Sequence, residues 1–191
     1  MDRRRLRVRL PQGGARFFQI RAKLESSRWL LDTVLAVMDQ ARPAGAVVIV
    51  NDRADIARLA RAGGVHVGQD DLSPGHVRLV VGAGIVGLST HTREQIDAAL
   101  GDPDVSYLAI GPVFTTGTKA TGYDAVGLER VREAAARTAP RGVPLVAIGG
   151  ITLERSAAVI EAGANAVAVI SDVMTAGDPA ARVAQFLAAL T

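Results

Sequence analysis

Short β-branched segments alternate along this chain with segments whose apolar residues recur at helical spacing. The seven candidate strands are Arg16–Ile20, Ala46–Val50, Gly64–Val67, Ile85–Leu88, Tyr107–Ile110, Val143–Ile148 and Ala166–Ile170. Helical spacing is found between most of them, in SRWLLDTVLAVMDQA, DIARLARA, TREQIDAAL, LERVREAAARTA and LERSAAVIEAG, and after the last one in DPAARVAQFLAAL. Strands that are apolar on both faces and separated by helices predict a parallel sheet covered by helices.

Two α/β architectures satisfy this pattern: an open, doubly wound sheet and a closed (β/α)8 barrel of the TIM type. Several of the βα repeats are short and regular, at roughly 20 to 25 residues, and no G-x-G-x-x-G motif follows the first clear strand. The TIM barrel is therefore favoured. In that fold the functional groups lie at the carboxyl ends of the strands.

The sequence indicates that the first βα unit of such a barrel is missing or reduced. A (β/α)8 barrel needs eight strands, whereas seven are clear and only fifteen residues precede RFFQI. A parallel neighbour requires a crossover of about a dozen residues or more, but only PQGGA separates Leu10 from Arg16. The stretch RLRVRL alternates arginine with apolar residues, as a strand with one solvated face would. We therefore expect residues 1–14 to form a basic arm or partial strand and residues 15–191 to form the barrel domain.

Charge and composition exclude several classes of function. The formal net charge is +3, but residues 1–10 hold five arginines against Asp2, so the remainder has 17 basic and 18 acidic residues. With only 4% aromatic residues, the body of the chain is poorly suited to bind nucleic acid. Cysteine is absent, which excludes a disulfide framework, and no apolar run approaches the ~18 residues of a membrane span. These features predict a cytoplasmic protein that binds neither nucleic acid nor membrane.

Polar and charged side chains follow the first three clear strands at the point where each strand ends. They are Gln19, Arg21 and Lys23 at alternate positions, Asn51 and Asp52 in VNDR, and Gln69, Asp70 and Asp71 in VGQDD. Because side chains alternate along a strand, the first three are expected to point together toward the mouth of the barrel. Neighbouring strands lie about 4.8 Å apart, so carboxylates at adjacent strand ends can share one hard divalent ion such as Mg²⁺.

Small, hydroxylated and glycine residues follow the later strands. Ser89 and His91 lie in LSTH, and the loop IGPVFTTGTKATG adds Thr116, Gly117, Thr118 and Lys119. The last two strands end in IGGI and VIS, where glycine lets backbone N–H groups approach an anion closely. One edge of the sheet would therefore hold two anions, a diphosphate near the cations and a monophosphate near the glycines.

Each of these features, taken alone, also has a plainer interpretation. The plainer roles are helix N-caps for Asp52 and Asp71, solvation or pairing with Glu25 for Arg21 and Lys23, a tight turn for Gly149-Gly150, a solvated connection for the TTGTK loop and a structural role for His66. The functional interpretation rests on the combination, because an unrelated barrel would rarely place all these groups on one rim.

The chain resembles the thiamine-phosphate synthase family from about residue 15 to its C-terminus. The resemblance is carried by FFQIRAK, IVNDRADIA, GGVHVGQDD, VGLSTH, IGPVFTTGTK, VAIGGI and VAVIS, in this order and spacing. Members of that family are (β/α)8 barrels that join a pyrimidine diphosphate to a thiazole phosphate, release diphosphate and form thiamine phosphate. The resemblance therefore implies a Mg²⁺-dependent transferase with two small-molecule substrates.

The resemblance also assigns roles to the residues at the strand ends. The pyrimidine diphosphate would be held by Gln19, Arg21, Lys23, Asn51 and Lys119, with Ser89 near the pyrimidine, and Mg²⁺ by Asp52 and Asp71. The thiazole phosphate would be held by Thr116, Gly117, Thr118, Gly150, Ile170 and Ser171. Arg21, Lys23 and Lys119 would be catalytic, because they neutralise the charge that builds on the departing diphosphate. No protein nucleophile is required, so positioning and electrostatics would supply the rate.

Alternatives remain within the resemblance. Ala22 stands where many relatives have an acidic residue, which would loosen the orientation of Arg21 or Lys23. The related thiazole tautomerase has its catalytic histidine at the position of Pro112 and departs from the paired aspartates, so Pro112 and the aspartate pair favour the synthase. A barrel that binds thiazole phosphate without turnover stays open, as does a homo-oligomer.

Overall fold

The computed structural model describes residues 13–115 and 123–190. Within these residues each strand is followed by a helix, and two helices follow the last strand. The strands are β1 (Phe17–Ile20), β2 (Val47–Asn51), β3 (Gly64–Val67), β4 (Ile85–Thr90), β5 (Tyr107–Ile110), β6 (Leu145–Ile148) and β7 (Ala166–Ala168). The helices are α1 (Ser27–Ala41), α2 (Ala54–Ala60), α3 (Pro74–Val81), α4 (Arg93–Leu100), α5 (Gly127–Thr138), α6 (Leu153–Glu161), α7 (Ser171–Met174) and α8 (Pro179–Leu190).

The seven strands form one parallel sheet in which each strand pairs with the next strand along the chain. Because parallel crossovers are right-handed, a strand order that never reverses puts all the connecting helices on one face of the sheet. A doubly wound sheet needs a reversal of strand order and is therefore excluded. Among the described residues β1 and β7 do not pair with each other, so the sheet is an open, TIM-like half-barrel of seven strands and not a closed (β/α)8 barrel.

The sheet curls enough to bring distant strands together on its concave face. The rings of Phe17 in β1 and Tyr107 in β5 pack edge to face, with centroids 5.7 Å apart. On the convex face, Val48 and Val50 of β2 join the hydrophobic core, whereas the fully buried Ile49 between them points to the concave face. The carboxyl ends of all seven strands meet at one rim, where those predicted site residues that the structure describes lie.

Most helix boundaries follow the sequence, but two helices were not predicted from periodicity. The eight-residue α3 begins at Pro74, and the side chain of Ser73 accepts a hydrogen bond from the His76 N–H. The single turn α7 begins at Ser171, directly after the last strand end. The single turn of α7 is too short for a clear apolar periodicity.

The expected basic arm lies mostly outside the described residues, which begin at Gly13. Gly13 and Gly14 pack against α8, because a Cβ at either position would come within 2.8 Å of Val183 or Leu187. In the described part of the chain, no helix is both long enough and apolar enough to cross a membrane.

Candidate active site

Lys23 joins the two predicted metal ligands. Its Nζ lies 2.7 Å from Oδ2 of Asp52 and 3.7 Å from Oδ1 of Asp71. Asp52 follows β2 and Asp71 follows β3, and the parallel pairing of Asn51 with His66 sets these two strand ends side by side. The structure therefore brings together the aspartates that the sequence predicted, around one cation supplied from the end of β1.

Neither aspartate caps a helix. Asp52 precedes the N-cap residue of α2, which is Arg53, and its own backbone has a φ of 61°. A non-glycine residue in this left-handed region is uncommon, and such strain is concentrated at functional sites. The carboxylate of Asp71 accepts a hydrogen bond of 2.8 Å from the Gly68 N–H within its own loop. The N-cap interpretation of both residues is therefore wrong.

The three charged groups shift one another's proton affinities. The hydrogen bond to Asp52 raises the pKa of Lys23, although burial and the charge of Arg21 oppose the rise. Burial raises the pKa of Asp52, and the neighbouring Asp71 raises it further, whereas the hydrogen bond and charge of Lys23 oppose the rise. Burial alone would raise the pKa of Asp71, but the Gly68 N–H, Asp52 and Lys23 together bring it below its usual value.

This donor set fits a hard divalent cation. The ammonium of Lys23 already lies between two carboxylates, in a position that a small cation with oxygen ligands could share. Over residues 13–115 and 123–190, no cluster of three or more acidic, histidine or cysteine side chains could hold a metal. An ion on Asp52 and Asp71 would therefore need further ligands from water or from substrate oxygens.

A hydrogen-bonded chain of side chains lines the concave face next to this cluster. His66 of β3 is buried, and its Nδ1 lies 2.8 Å from the Tyr107 hydroxyl while its Nε2 lies 2.8 Å from the Ser89 hydroxyl. Burial raises the pKa of Tyr107, and the Gln19 side chain partly offsets the rise. The predicted residues Gln19 and Ser89 thus belong to one polar wall that crosses from β1 to β5.

Tyr107 was not among the predicted site residues, and His66 was predicted to be structural only. The signal for both was Gly87, a glycine in the interior of a strand. A Cβ at Gly87 would collide with the Tyr107 ring and with Nδ1 of His66, so the two rings meet directly above this residue. A glycine inside a strand marks close approach of another group, which could have identified the pair.

Asn51 and Arg21 complete the end of the site near Lys23. Asn51 is the last residue of β2, and among the described residues its amide nitrogen is a buried polar atom without a hydrogen-bond partner. Such an atom is costly unless a ligand or water satisfies it. Arg21 lies beyond the end of β1, so the alternation of side chains along the strand sets the direction of Gln19 alone. The positive charge of Arg21 nevertheless acts to lower the pKa of Lys23.

The glycines after β6 lie against the start of the β5–α5 loop. Gly149 and Gly150 have φ values of 101° and 63°, and a Cβ at Gly150 would lie 2.7 Å from the Thr115 carbonyl oxygen. The Phe114 N–H donates to the Gly149 carbonyl at 3.0 Å. Gly149-Gly150 is thus more than a tight turn, because only glycine allows this approach.

The remaining predicted residues of the phosphate end divide into two groups. Ile170 and Ser171 lie where β7 passes into α7, and both are exposed. Thr116, Gly117, Thr118 and Lys119 lie outside the described residues. The described part of the loop ends at Thr115, directly beside Gly150.

The class of protein is a TIM-barrel-like α/β enzyme, because the parallel sheet is curled, has its helices on one face and gathers polar groups at its carboxyl rim. Comparison with known proteins gives the particular family. Residues 4–173 match the model of the thiamine monophosphate synthase family. The chain is 46% identical over 179 residues to the thiamine-phosphate synthase of Koribacter versatilis, covering 93% of this chain and 82% of the relative. It is 44% identical to that of Acidothermus cellulolyticus, over the same shares of the two chains.

A solved structure agrees with this result. The thiamine phosphate pyrophosphorylase from Pyrococcus furiosus superposes with a TM-score of 0.87 at 28% identity, over 95% of this chain and 85% of that one. The chain belongs to the thiamine monophosphate synthase family. The family predicted from the sequence is confirmed, and with it an enzyme of the transferase class.

Proposed function

We propose that this chain joins hydroxymethylpyrimidine diphosphate to thiazole phosphate, releasing diphosphate and forming thiamine phosphate. The sheet would correspond to seven strands of a (β/α)8 barrel, with the two substrates bound side by side at its carboxyl rim. The observation that carries the proposal is the contact of Lys23 with both Asp52 and Asp71. This cluster combines a cation for diphosphate oxygens with a carboxylate pair for a metal ion.

The diphosphate end of the first substrate would lie at this cluster. Asp52 and Asp71 would hold Mg²⁺, which when bound supplies positive charge to the diphosphate oxygens. Lys23 and Arg21 would add their own charges on the same side, and Lys119 would join them from the β5–α5 loop. Charge neutralisation at this end matters most while the leaving group gains negative charge.

The pyrimidine would lie on the concave face. The amide nitrogen of Asn51, which has no partner in the described part of the chain, supplies one polar group there. The wall formed by Gln19, Ser89, His66 and Tyr107 supplies further polar groups beside apolar ring surface. A heteroaromatic ring with an amino group needs both kinds of contact. His66 supports the orientation of Ser89, because its two ring nitrogens are engaged by the hydroxyls of Ser89 and Tyr107.

The bond changes require no protein nucleophile. The bond between the pyrimidine methylene carbon and the diphosphate oxygen breaks, and its electron pair leaves with the diphosphate. The thiazole nitrogen then gives its lone pair to that carbon and forms the new bond. The protein contributes by binding both reactants in line and by stabilising the charge on the leaving group.

The phosphate of the thiazole substrate would lie at the other end of the rim. Gly150, Ile170 and Ser171 would hold it, together with Thr116, Gly117 and Thr118 from the loop. The support for this assignment is the contact of Gly150 with Thr115, which brings the glycine-rich turn to the start of that loop. Glycine N–H groups and threonine hydroxyls are suitable donors to phosphate oxygens.

The direct test is a product assay on the purified chain with both substrates and Mg²⁺. We expect thiamine phosphate and diphosphate to accumulate in equal amounts, and no diphosphate when thiazole phosphate is omitted. Binding of thiazole phosphate without product would instead support the barrel that binds without turnover. Conversion of a thiazole tautomer in the absence of the pyrimidine substrate would support the tautomerase.

Two further expectations stay predictions. They are the cytoplasmic location and the assembly into a homo-oligomer. Substrates of low molecular weight are proposed as the partners of the site.

A further inference from the structure

The carboxylate of Asp172, directly after Ser171, contacts two other parts of the chain. Its Oδ2 accepts a hydrogen bond of 3.3 Å from the Leu153 N–H and one of 2.9 Å from Nε of Arg182. Its Oδ1 accepts a further bond of 3.1 Å from Nη2 of Arg182. The guanidinium thus donates to both carboxylate oxygens, and about four-fifths of the Arg182 and Asp172 side chains is shielded from solvent. Paired bonds of this kind fix orientation as well as distance.

These contacts join three helices at one point. Leu153 is the first residue of α6, Asp172 is the second residue of α7, and Arg182 lies in α8. Nη2 of Arg182 also lies 3.4 Å from Oε1 of Glu154 in α6. The Asp172–Arg182 pair therefore ties the start of α6 to the start of α7.

The starts of α6 and α7 carry the two backbone segments of the proposed phosphate end. Gly150 lies three residues before Leu153, and Ile170 and Ser171 come directly before Asp172. The hydrogen-bonded ladder between β6 and β7 ends at Ile148 and Ala168, so it stops short of both segments. Beyond the end of the ladder, the contacts of Asp172 connect the elements that follow the two segments.

We propose that Asp172 and Arg182 are positioning residues that set the spacing between the Gly150 turn and the Ile170–Ser171 segment, and so control the affinity for the phosphate of the thiazole substrate. This inference rests on the proposed function. Neither residue is assigned a contact with the substrate. An arginine is needed because a lysine ammonium cannot grip both carboxylate oxygens in one plane.

A purely structural ion pair would behave differently. Arg182 also lies over the ring of the buried Phe186, with 5.7 Å from its guanidinium carbon to the ring centroid. Its loss could therefore lower thermal stability without any effect on the rim. The experiment must therefore measure the KM for each substrate separately, because a general loosening of the fold would weaken the binding of both.

The experiment compares Asp172→Asn, Arg182→Gln and Arg182→Lys with the wild type in steady-state kinetics. Asp172→Asn keeps an oxygen that can accept from the Leu153 N–H, and Arg182→Gln keeps much of the side-chain stem. Arg137→Gln is the matched control, because Arg137 of α5 pairs with Asp97 at 2.5 Å and with Glu133 at 3.5 Å, outside the proposed site.

We expect the three variants to raise the KM for thiazole phosphate by about tenfold, a modest effect for misplacement of a binding group. The kcat and the KM for the pyrimidine diphosphate should stay within about twofold of the wild type. This pattern is expected when a protein loses binding energy for one substrate that is equal in the ground state and the transition state. Arg137→Gln should change none of these constants. Equal changes in both KM values, or a lower Tm with both KM values unchanged, would overturn the proposal.

A second measurement separates this inference from the proposed function. Should the wild type make no thiamine phosphate, the proposed function fails, and binding of inorganic phosphate is measured instead by calorimetry. Weaker phosphate binding in the Asp172 and Arg182 variants than in the wild type and Arg137→Gln would still support the positioning role. Equal phosphate binding in all five proteins, or none in the wild type, would overturn it.

Discussion

Lys23 and Asp52 form an ion pair of 2.7 Å at the rim of the sheet, and the same ammonium lies 3.7 Å from Asp71. A cation between two carboxylates compensates for their mutual repulsion in the free protein. In the complex, the same three groups would be shared between a metal ion and the diphosphate. The pair therefore connects the resting structure to the proposed chemistry.

Replacing Asp52 or Asp71 is expected to abolish most of the activity. Asp52→Asn or Asp71→Asn should lower kcat/KM by about 100-fold or more, the range found when a group that stabilises transition-state charge is removed. Tm should change little, because both side chains lie at the rim and outside the hydrophobic core. The control is Asp55→Asn, which removes an aspartate that pairs with Arg53 at the surface. Near-normal turnover of both variants at limiting Mg²⁺ would rule out the metal assignment.

The raised pKa of Asp52 predicts a particular pH dependence of the Mg²⁺ requirement. Metal ions bind the deprotonated carboxylate, and a carboxyl with a raised pKa takes up its proton at a higher pH than an ordinary aspartate. As the pH is lowered toward the range in which an ordinary aspartate titrates, the Mg²⁺ concentration for half-maximal rate should therefore rise, and the rise should begin at a higher pH than an ordinary aspartate would give. Because Lys23 lowers the pKa of Asp52, Lys23→Gln should move this rise to higher pH. A Mg²⁺ requirement that is constant over this range in the wild type would contradict the assignment.

The chain contains only two lysines, Lys23 and Lys119, and both are assigned to the diphosphate. Reductive methylation with ¹³C-formaldehyde keeps their charge and gives each lysine its own NMR signal, which Lys23→Arg and Lys119→Arg assign. Adding diphosphate with Mg²⁺ should shift both signals, whereas thiazole phosphate alone should shift neither strongly. A Lys119 signal that responds to thiazole phosphate and not to diphosphate would place Lys119 at the other phosphate.

The strands and most helices could be predicted from the sequence because burial on both faces leaves a strong apolar pattern. Helix α1 was predicted with the bounds that the structure has, and β3 and β5 likewise. The aspartate pair could be predicted because parallel strands bring their carboxyl ends together. The Asp172–Arg182 pair could not, since it joins two helices through side chains and follows no periodicity.

Gly87 is predicted to be essential to the concave face. A Cβ there would collide with Tyr107 and His66, so Gly87→Ala should destabilise the fold by about 1–3 kcal/mol, as overpacking commonly does. In the fraction that folds, displacement of His66 and Ser89 should raise the KM for the pyrimidine diphosphate more than that for thiazole phosphate. The control is Gly177→Ala, where a Cβ would meet nothing within 4 Å. Equal stability of the two variants, measured by urea unfolding, would contradict the packing argument.

The most direct test of where the two substrates bind is a crystal structure with diphosphate, thiamine phosphate and Mn²⁺, whose anomalous signal locates the metal. The proposed function predicts Mn²⁺ on the carboxylates of Asp52 and Asp71, diphosphate against it within reach of Lys23, and the ester phosphate at Gly150 and Ser171. Diphosphate at Gly150 and Ser171, or Mn²⁺ bound away from the aspartate pair, would contradict the assignment of the site.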